Sequence, residues 1–134
     1  MNHLKIRIAS TVNDSIVDGP GLRFVIFTQG CLFGCLNCHN KATWDLKGGY
    51  LVEMDELVTK WRKNPLIEGI TLSGGDPLLQ PEACLYLIRK AHATGLNVKL
   101  YSGDTYERLL VDKNETVRTI IQEIDYLIDG PFVD

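Results

Sequence analysis

Three of the four cysteines in this chain, Cys31, Cys35 and Cys38, fall within eight residues, spaced three and then two residues apart. They sit in the stretch Gly30-Cys-Leu-Phe-Gly-Cys-Leu-Asn-Cys-His-Asn40. A loop that short has no core in which to hide three separate thiols. Its cysteines therefore converge on one metal centre once the loop curls. Three thiolates leave one position of a four-ligand site open; in a cubane iron–sulfur cluster, one iron would be free to bind something else. The loop is also placed by what precedes it. Arg23-Phe-Val-Ile-Phe-Thr28 is β-rich and almost continuously apolar, as in a central parallel strand covered on both faces.

At 134 residues the chain is expected to be one domain, 1–134, large enough to bury a core. Apolar residues make up 45% and charged residues 23%, ordinary for a water-soluble fold, and a net charge of −3 gives no reason to expect nucleic acid as partner. No apolar run is long enough for a membrane, and the first residues, Met1–Lys5, do not resemble a signal peptide, so the expected location is cytoplasmic. A chain of this size needs no disulfides. Cys84 shares a helical face with Leu87, Ile88 and Ala91 and reads as a buried, inert thiol.

Along the chain, residues 4–9 alternate as a half-buried strand at a sheet edge, and Gly19-Pro20-Gly21 makes a turn. After the strand at 23–28 and the cysteine loop, residues 53–63 form a helix with Met54, Leu57, Val58 and Trp61 on one face. A buried strand at 69–73 runs into Gly74-Gly75-Asp76-Pro77, and Pro81 opens a helix that stops at Gly95. Residues 97–101 form a third strand in this series, followed by Ser102-Gly103-Asp104, where Asp104 and Glu107 have the spacing of a capping box. Val117, Ile120, Ile121 and Ile124 line a further helix before a last strand at 125–128. This alternation predicts an α/β fold of parallel βα units. In such folds functional loops gather at the carboxyl ends of the strands, which puts the cysteine, Gly-Gly-Asp and Ser-Gly-Asp loops on one rim.

A structural zinc site with His39 or a distant fourth ligand is the bland alternative. Zinc sites usually pair their ligands as two separated couples, and no second couple is present here. Instead, Cys-x3-Cys-x2-Cys followed by His-Asn resembles the radical S-adenosylmethionine (SAM) enzymes, in the form carried by glycyl-radical-enzyme activases. The resemblance extends through Asp18-Gly-Pro-Gly-Leu-Arg23, Gln29-Gly30-Cys31 and Thr43-Trp44-Asp45. Asn64-Pro65-Leu66, Thr71–Leu78, Tyr101-Ser102-Gly103 and Tyr126–Phe132 look most like the activases of anaerobic (class III) ribonucleoside-triphosphate reductase. Activation of another glycyl radical enzyme, such as pyruvate formate-lyase, is the nearest alternative; a non-catalytic zinc- or cluster-binding module is the alternative from a different class.

The resemblance implies a [4Fe-4S] cluster on Cys31, Cys35 and Cys38, with SAM chelating the open iron. It implies that Asn37, Cys38 and His39 touch SAM beside the cluster. Gly74, Gly75 and Asp76 match a Gly-Gly-Glu element that receives the SAM amino group through backbone carbonyls. The product would be a 5′-deoxyadenosyl radical that takes hydrogen from a glycine of the reductase, with a flavodoxin-like electron donor. The implied fold is an incomplete, partial TIM-like barrel. Asp18 and Arg23 are left with turn and salt-bridge chemistry, and Trp44 with packing or a lid. The related activases continue past Asp129-Gly-Pro-Phe132 into a basic stretch, so this chain is expected to be truncated at its C-terminus.

Overall fold

The computed structural model describes residues 5–15, 21–29, 49–74 and 76–129. They form a six-stranded sheet in the order β3-β1-β2-β4-β5-β6. Its strands are β1 (Lys5–Ser15), β2 (Arg23–Thr28), β3 (Tyr50–Glu53), β4 (Gly69–Gly74), β5 (Asn97–Tyr101) and β6 (Tyr126–Ile128). Strands β2, β4, β5 and β6 are parallel, as the alternating pattern predicts. The other side of the sheet differs from the expectation. Strand β1 is eleven residues long, lies antiparallel to β2, and is covered on its outer side by the antiparallel β3, which sequence reading did not find. Only four residues long and largely exposed, β3 carries too little apolar pattern to stand out. The sheet is open, with β3 and β6 at its edges.

One face of the sheet makes the core. Register brings Phe24, Ile70 and Val98 into one cross-strand row and Ile26, Leu72 and Leu100 into the next. Helices α1 (Met54–Arg62), α2 (Pro81–Ala93) and α4 (Glu115–Glu123) press onto these rows with Met54, Leu57, Trp61, Leu87, Ile88 and Ile120, all buried. The Trp61 ring meets Phe24 edge to face, with centroids 6.1 Å apart.

The helices stop and start where local chemistry says they must. Helix α1 carries Asp55 and Glu56 in its first turn and Lys60 and Arg62 in its last, matching the helix dipole. Helix α2 opens on Pro81 and closes with Leu96 N–H donating to Ala91 O and Gly95 N–H to His92 O, a Schellman end with Gly95 at φ +79°. The Asn114 side chain caps α4 by accepting from Thr116 and Val117 N–H. The expected capping box at Asp104 is displaced by one residue. Thr105, in extended geometry, caps the short helix α3 (Tyr106–Leu109), while Asp104 accepts from the Thr105 N–H at 2.9 Å. Among the described residues no helix is long and apolar enough to cross a membrane.

Candidate functional site

The parallel strands deliver their carboxyl ends to one rim. Thr28, the last residue of β2, is paired with Gly74, the last of β4, and its hydroxyl donates to Ser73 O at 3.0 Å. Gln29 follows, and the chain then enters residues 30–48. It returns at Gly49, where a Cβ would lie 2.3 Å from Ile8 O and 3.0 Å from the Gln29 Cβ, so both stems of the cysteine loop are held side by side against β1. Cys31, Cys35, Asn37, Cys38 and His39 lie outside the described residues, as do Gly75, Asp18 and Trp44. Among the described residues no group of three or more His, Cys, Asp or Glu could hold a metal, so the metal assignment rests on the cysteine loop.

Strand β4 ends at a glycine for a visible reason. Gly74 has φ +103°, and a Cβ there would lie 2.5 Å from both Thr28 N and Thr28 O. The main chain of the Gly-Gly-Asp loop thus passes hard against the residue that leads into the cysteine loop. The donor set of three thiolates in the cysteine loop would suit a cubane cluster with one open iron.

Asp76 is turned inward. It is 4% exposed, its Oδ1 accepts from Leu78 N–H at 3.0 Å, and it also receives the Gly103 backbone N–H. Burial pushes its carboxyl above the usual carboxylate range, nearby Asp104 adds to this, and the two N–H bonds pull the other way. The side chain therefore ties the loop after β4 to the loop after β5. Ser102, also buried, extends the tie: its Oγ accepts from Asp104 N–H at 3.1 Å and its N–H donates to Ile128 O at 3.0 Å. Asp129, after β6, accepts from Tyr106 N–H at 2.7 Å. A cavity of about 230 Å³ opens among these loops, lined in part by Asp76, Ser102, Asp104 and Asn114. A larger groove lies elsewhere, between the outer sides of α2 and α4, and none of the expected site residues lines it.

Cys84 is fully buried, donates to Pro77 O at 3.1 Å, and has its thiol pushed far up by burial and by Asp76. It is an inert thiol packed under the rim. Arg23 makes described contacts within the sheet, while Asp18 lies outside the described residues. Fully buried at the amino end of β2, away from the rim, Arg23 donates to Thr71 Oγ1 at 2.7 Å and to Ile70 O at 2.6 Å. Sequence reading also passed over Gln80, whose carboxamide reaches β1; the only sequence cue was its position directly before Pro81.

The chain's relatives bear on the same site. A family model for a 4Fe-4S single cluster domain matches residues 17–134. The chain is 38% identical over 128 residues to the pyruvate formate-lyase 1-activating enzyme of Escherichia coli K12, covering 92% of this chain and 48% of that one. It is 37% identical over 113 residues to the pyruvate formate-lyase-activating enzyme of Clostridium pasteurianum, covering 78% of this chain and 48% of that one. It is 32% identical over 126 residues to the anaerobic ribonucleoside-triphosphate reductase-activating protein of Vibrio cholerae, covering 88% of this chain and 79% of that one. The chain thus spans about half the length of the pyruvate formate-lyase activators it matches. The matching family model is that of a domain holding one 4Fe-4S cluster. With a single-cluster model spanning nearly all of it and activating proteins of pyruvate formate-lyase and of anaerobic ribonucleoside-triphosphate reductase among its relatives, the chain belongs to the 4Fe-4S single-cluster family that includes these activators.

Proposed function

We propose that this chain is the radical SAM activase of an anaerobic ribonucleoside-triphosphate reductase and installs a glycyl radical on it. The observation that carries the reading is the contact at the rim: a three-thiolate loop rooted at Gln29 and a Gly-Gly-Asp loop whose Gly74 backbone lies against Thr28. Cys31, Cys35 and Cys38 would hold the cluster, Asn37, Cys38 and His39 would lie along SAM, and the Gly74–Asp76 backbone would receive its amino group. Bound together, the two cofactors supply one-electron cleavage of the sulfonium to a 5′-deoxyadenosyl radical. The protein's part is to hold the cluster loop and the amino-group loop in register and to keep water out. A flavodoxin-like protein is the proposed electron donor, and the cytoplasm the proposed compartment. The open β6 edge supports reading the sheet as an incomplete barrel, with room for a partner's glycine loop.

The choice of the reductase over pyruvate formate-lyase rests on the resemblance of Asn64-Pro65-Leu66, Thr71–Leu78, Tyr101-Ser102-Gly103 and Tyr126–Phe132 to the reductase activases. The higher identity to the lyase activators, 38% against 32%, favours the second reading. Anaerobic reconstitution with iron and sulfide, followed by incubation with SAM, reductant and each candidate partner, separates them. The expected result is 5′-deoxyadenosine together with a glycyl-radical resonance on the reductase. A radical on the lyase alone would select the second reading, and a colourless zinc protein releasing no 5′-deoxyadenosine would overturn both.

A further inference from the structure

Strand β2 leaves the sheet just where β1 still needs a partner. The register runs Ile8 to Thr28, so Arg7 faces the point at which β2 turns off toward the cysteine loop. Its outer neighbour Leu51 belongs to β3 on the other side. On the inner side the last backbone contact from β2 is Gln29 N–H, donating to Arg7 O at 3.1 Å. On that side Arg7's peptide also hydrogen-bonds to a residue 73 positions away. Gln80 Oε1 accepts from Arg7 N–H at 2.7 Å, and Gln80 Nε2 donates to Arg7 O at 2.8 Å. The primary amide thus makes the paired N–H and C=O bonds that a neighbouring strand residue would make.

Gln80 is also anchored at its own end. Its N–H donates to Pro77 O at 3.0 Å and its carbonyl accepts from Cys84 N–H at 3.0 Å, closing the 3-10 turn at Pro77–Leu79 and opening α2. That turn begins on Asp76. Arg7 O is therefore shared by two donors. One is the root of the cysteine loop, and the other is the far end of the Gly74–Gln80 segment.

We propose that Gln80 is the positioning residue of this activase, fixing the spacing between the root of the cysteine loop and the loop after β4. The inference rests on the proposed SAM chemistry only for its functional consequence; the brace itself is a property of the chain. A carboxamide is required because the site needs an acceptor and a donor from one planar group. Glu in its ionised form has no donor for Arg7 O, and Met fills the volume with neither.

The experiment uses the full chain as wild type, Gln80→Met and Gln80→Glu. Hydrogen exchange by mass spectrometry is followed on the cluster-free protein. SAM binding, iron content and steady-state cleavage are followed after anaerobic reconstitution. The brace predicts faster exchange in both Gln80 variants at two separated segments together, around Arg7 and Gln29 and across residues 76–80. It further predicts, with iron content retained, a SAM dissociation constant raised about tenfold, with kcat within about threefold of wild type. Faster exchange confined to residues 76–80, or SAM affinity within about twofold of wild type in both variants, would overturn it. Should wild type itself bind no SAM and release no 5′-deoxyadenosine, the proposed function fails, and the paired exchange measurement still decides the brace.

Discussion

Replacing Gly74 by alanine tests the closeness on which the site depends, and Gly95 supplies a control within the same chain. Both glycines have positive φ, +103° and +79°. A side chain in such a conformation costs on the order of 1–3 kcal/mol, and the loss of unfolded-chain freedom on going from Gly to Ala offsets about 0.4–1 kcal/mol of it at either position. What differs is the surroundings. A Cβ at Gly95 meets nothing within 4 Å, whereas at Gly74 it lies 2.5 Å from the backbone N and O of Thr28, atoms that cannot swing aside as a side chain would. Forcing that contact adds an overpacking term of about 1–3 kcal/mol. Urea unfolding of the cluster-free chain should thus show Gly74→Ala less stable than Gly95→Ala by about 1–3 kcal/mol, at unchanged m value. After reconstitution, Gly95→Ala should bind SAM like wild type. Gly74→Ala should bind it weakly, because Thr28 moves together with the root of the cysteine loop. Equal unfolding free energies for the two variants would refute the claim that β4 presses on β2 at the rim.

Alanine at any one of Cys31, Cys35 or Cys38 should abolish both the brown cluster absorbance and SAM cleavage. Cys84→Ala should keep both while losing about 1 kcal/mol of stability with the thiol bond to Pro77, as read by urea unfolding. In the folded, cluster-free chain, iodoacetamide should modify the loop cysteines and spare Cys84, whose buried thiol resists ionisation. Burial raises the Asp76 carboxyl, so folding favours its protonated form. That contribution is fully present below the ordinary carboxyl range and is lost as pH rises through the raised value. The unfolding free energy of wild type should therefore fall relative to Asp76→Asn over that interval; a pH-independent difference would contradict the buried placement.

Much of the fold was legible because its strands and helices declare themselves locally. The run at 23–28 became β2, 97–101 became β5, and the helix expected at 53–63 became α1 at Met54–Arg62. Each has a periodic apolar pattern bounded by Gly, Pro or charge, and those signals depend on near neighbours alone. Strand β3 and residues 10–15 of β1 were missed for the opposite reason. The pairing of β3 is set by where the chain returns after residue 48, residues 10–15 pair with β2, and neither stretch has a buried face to mark it.

For the candidate site, the cysteine spacing and the Gly-Gly-Asp run could be read directly, since metal ligation and a tight glycine turn are properties of a few consecutive residues. Residue types at fixed intervals pointed to a metal centre with an open position; the expectation of SAM came from the resemblance to the radical SAM activases. Tertiary structure decided how the loops are held to one another. It turned Asp76 inward as a tie to Gly103, put Arg23 in the sheet at the end away from the rim, and set the Gln80 carboxamide beside Arg7. These are contacts between residues distant in sequence, and a hydrogen bond spanning 73 positions leaves no periodicity in the chain to announce it. Ligand chemistry is local and therefore written in the sequence; the spacing between ligands belongs to the sheet.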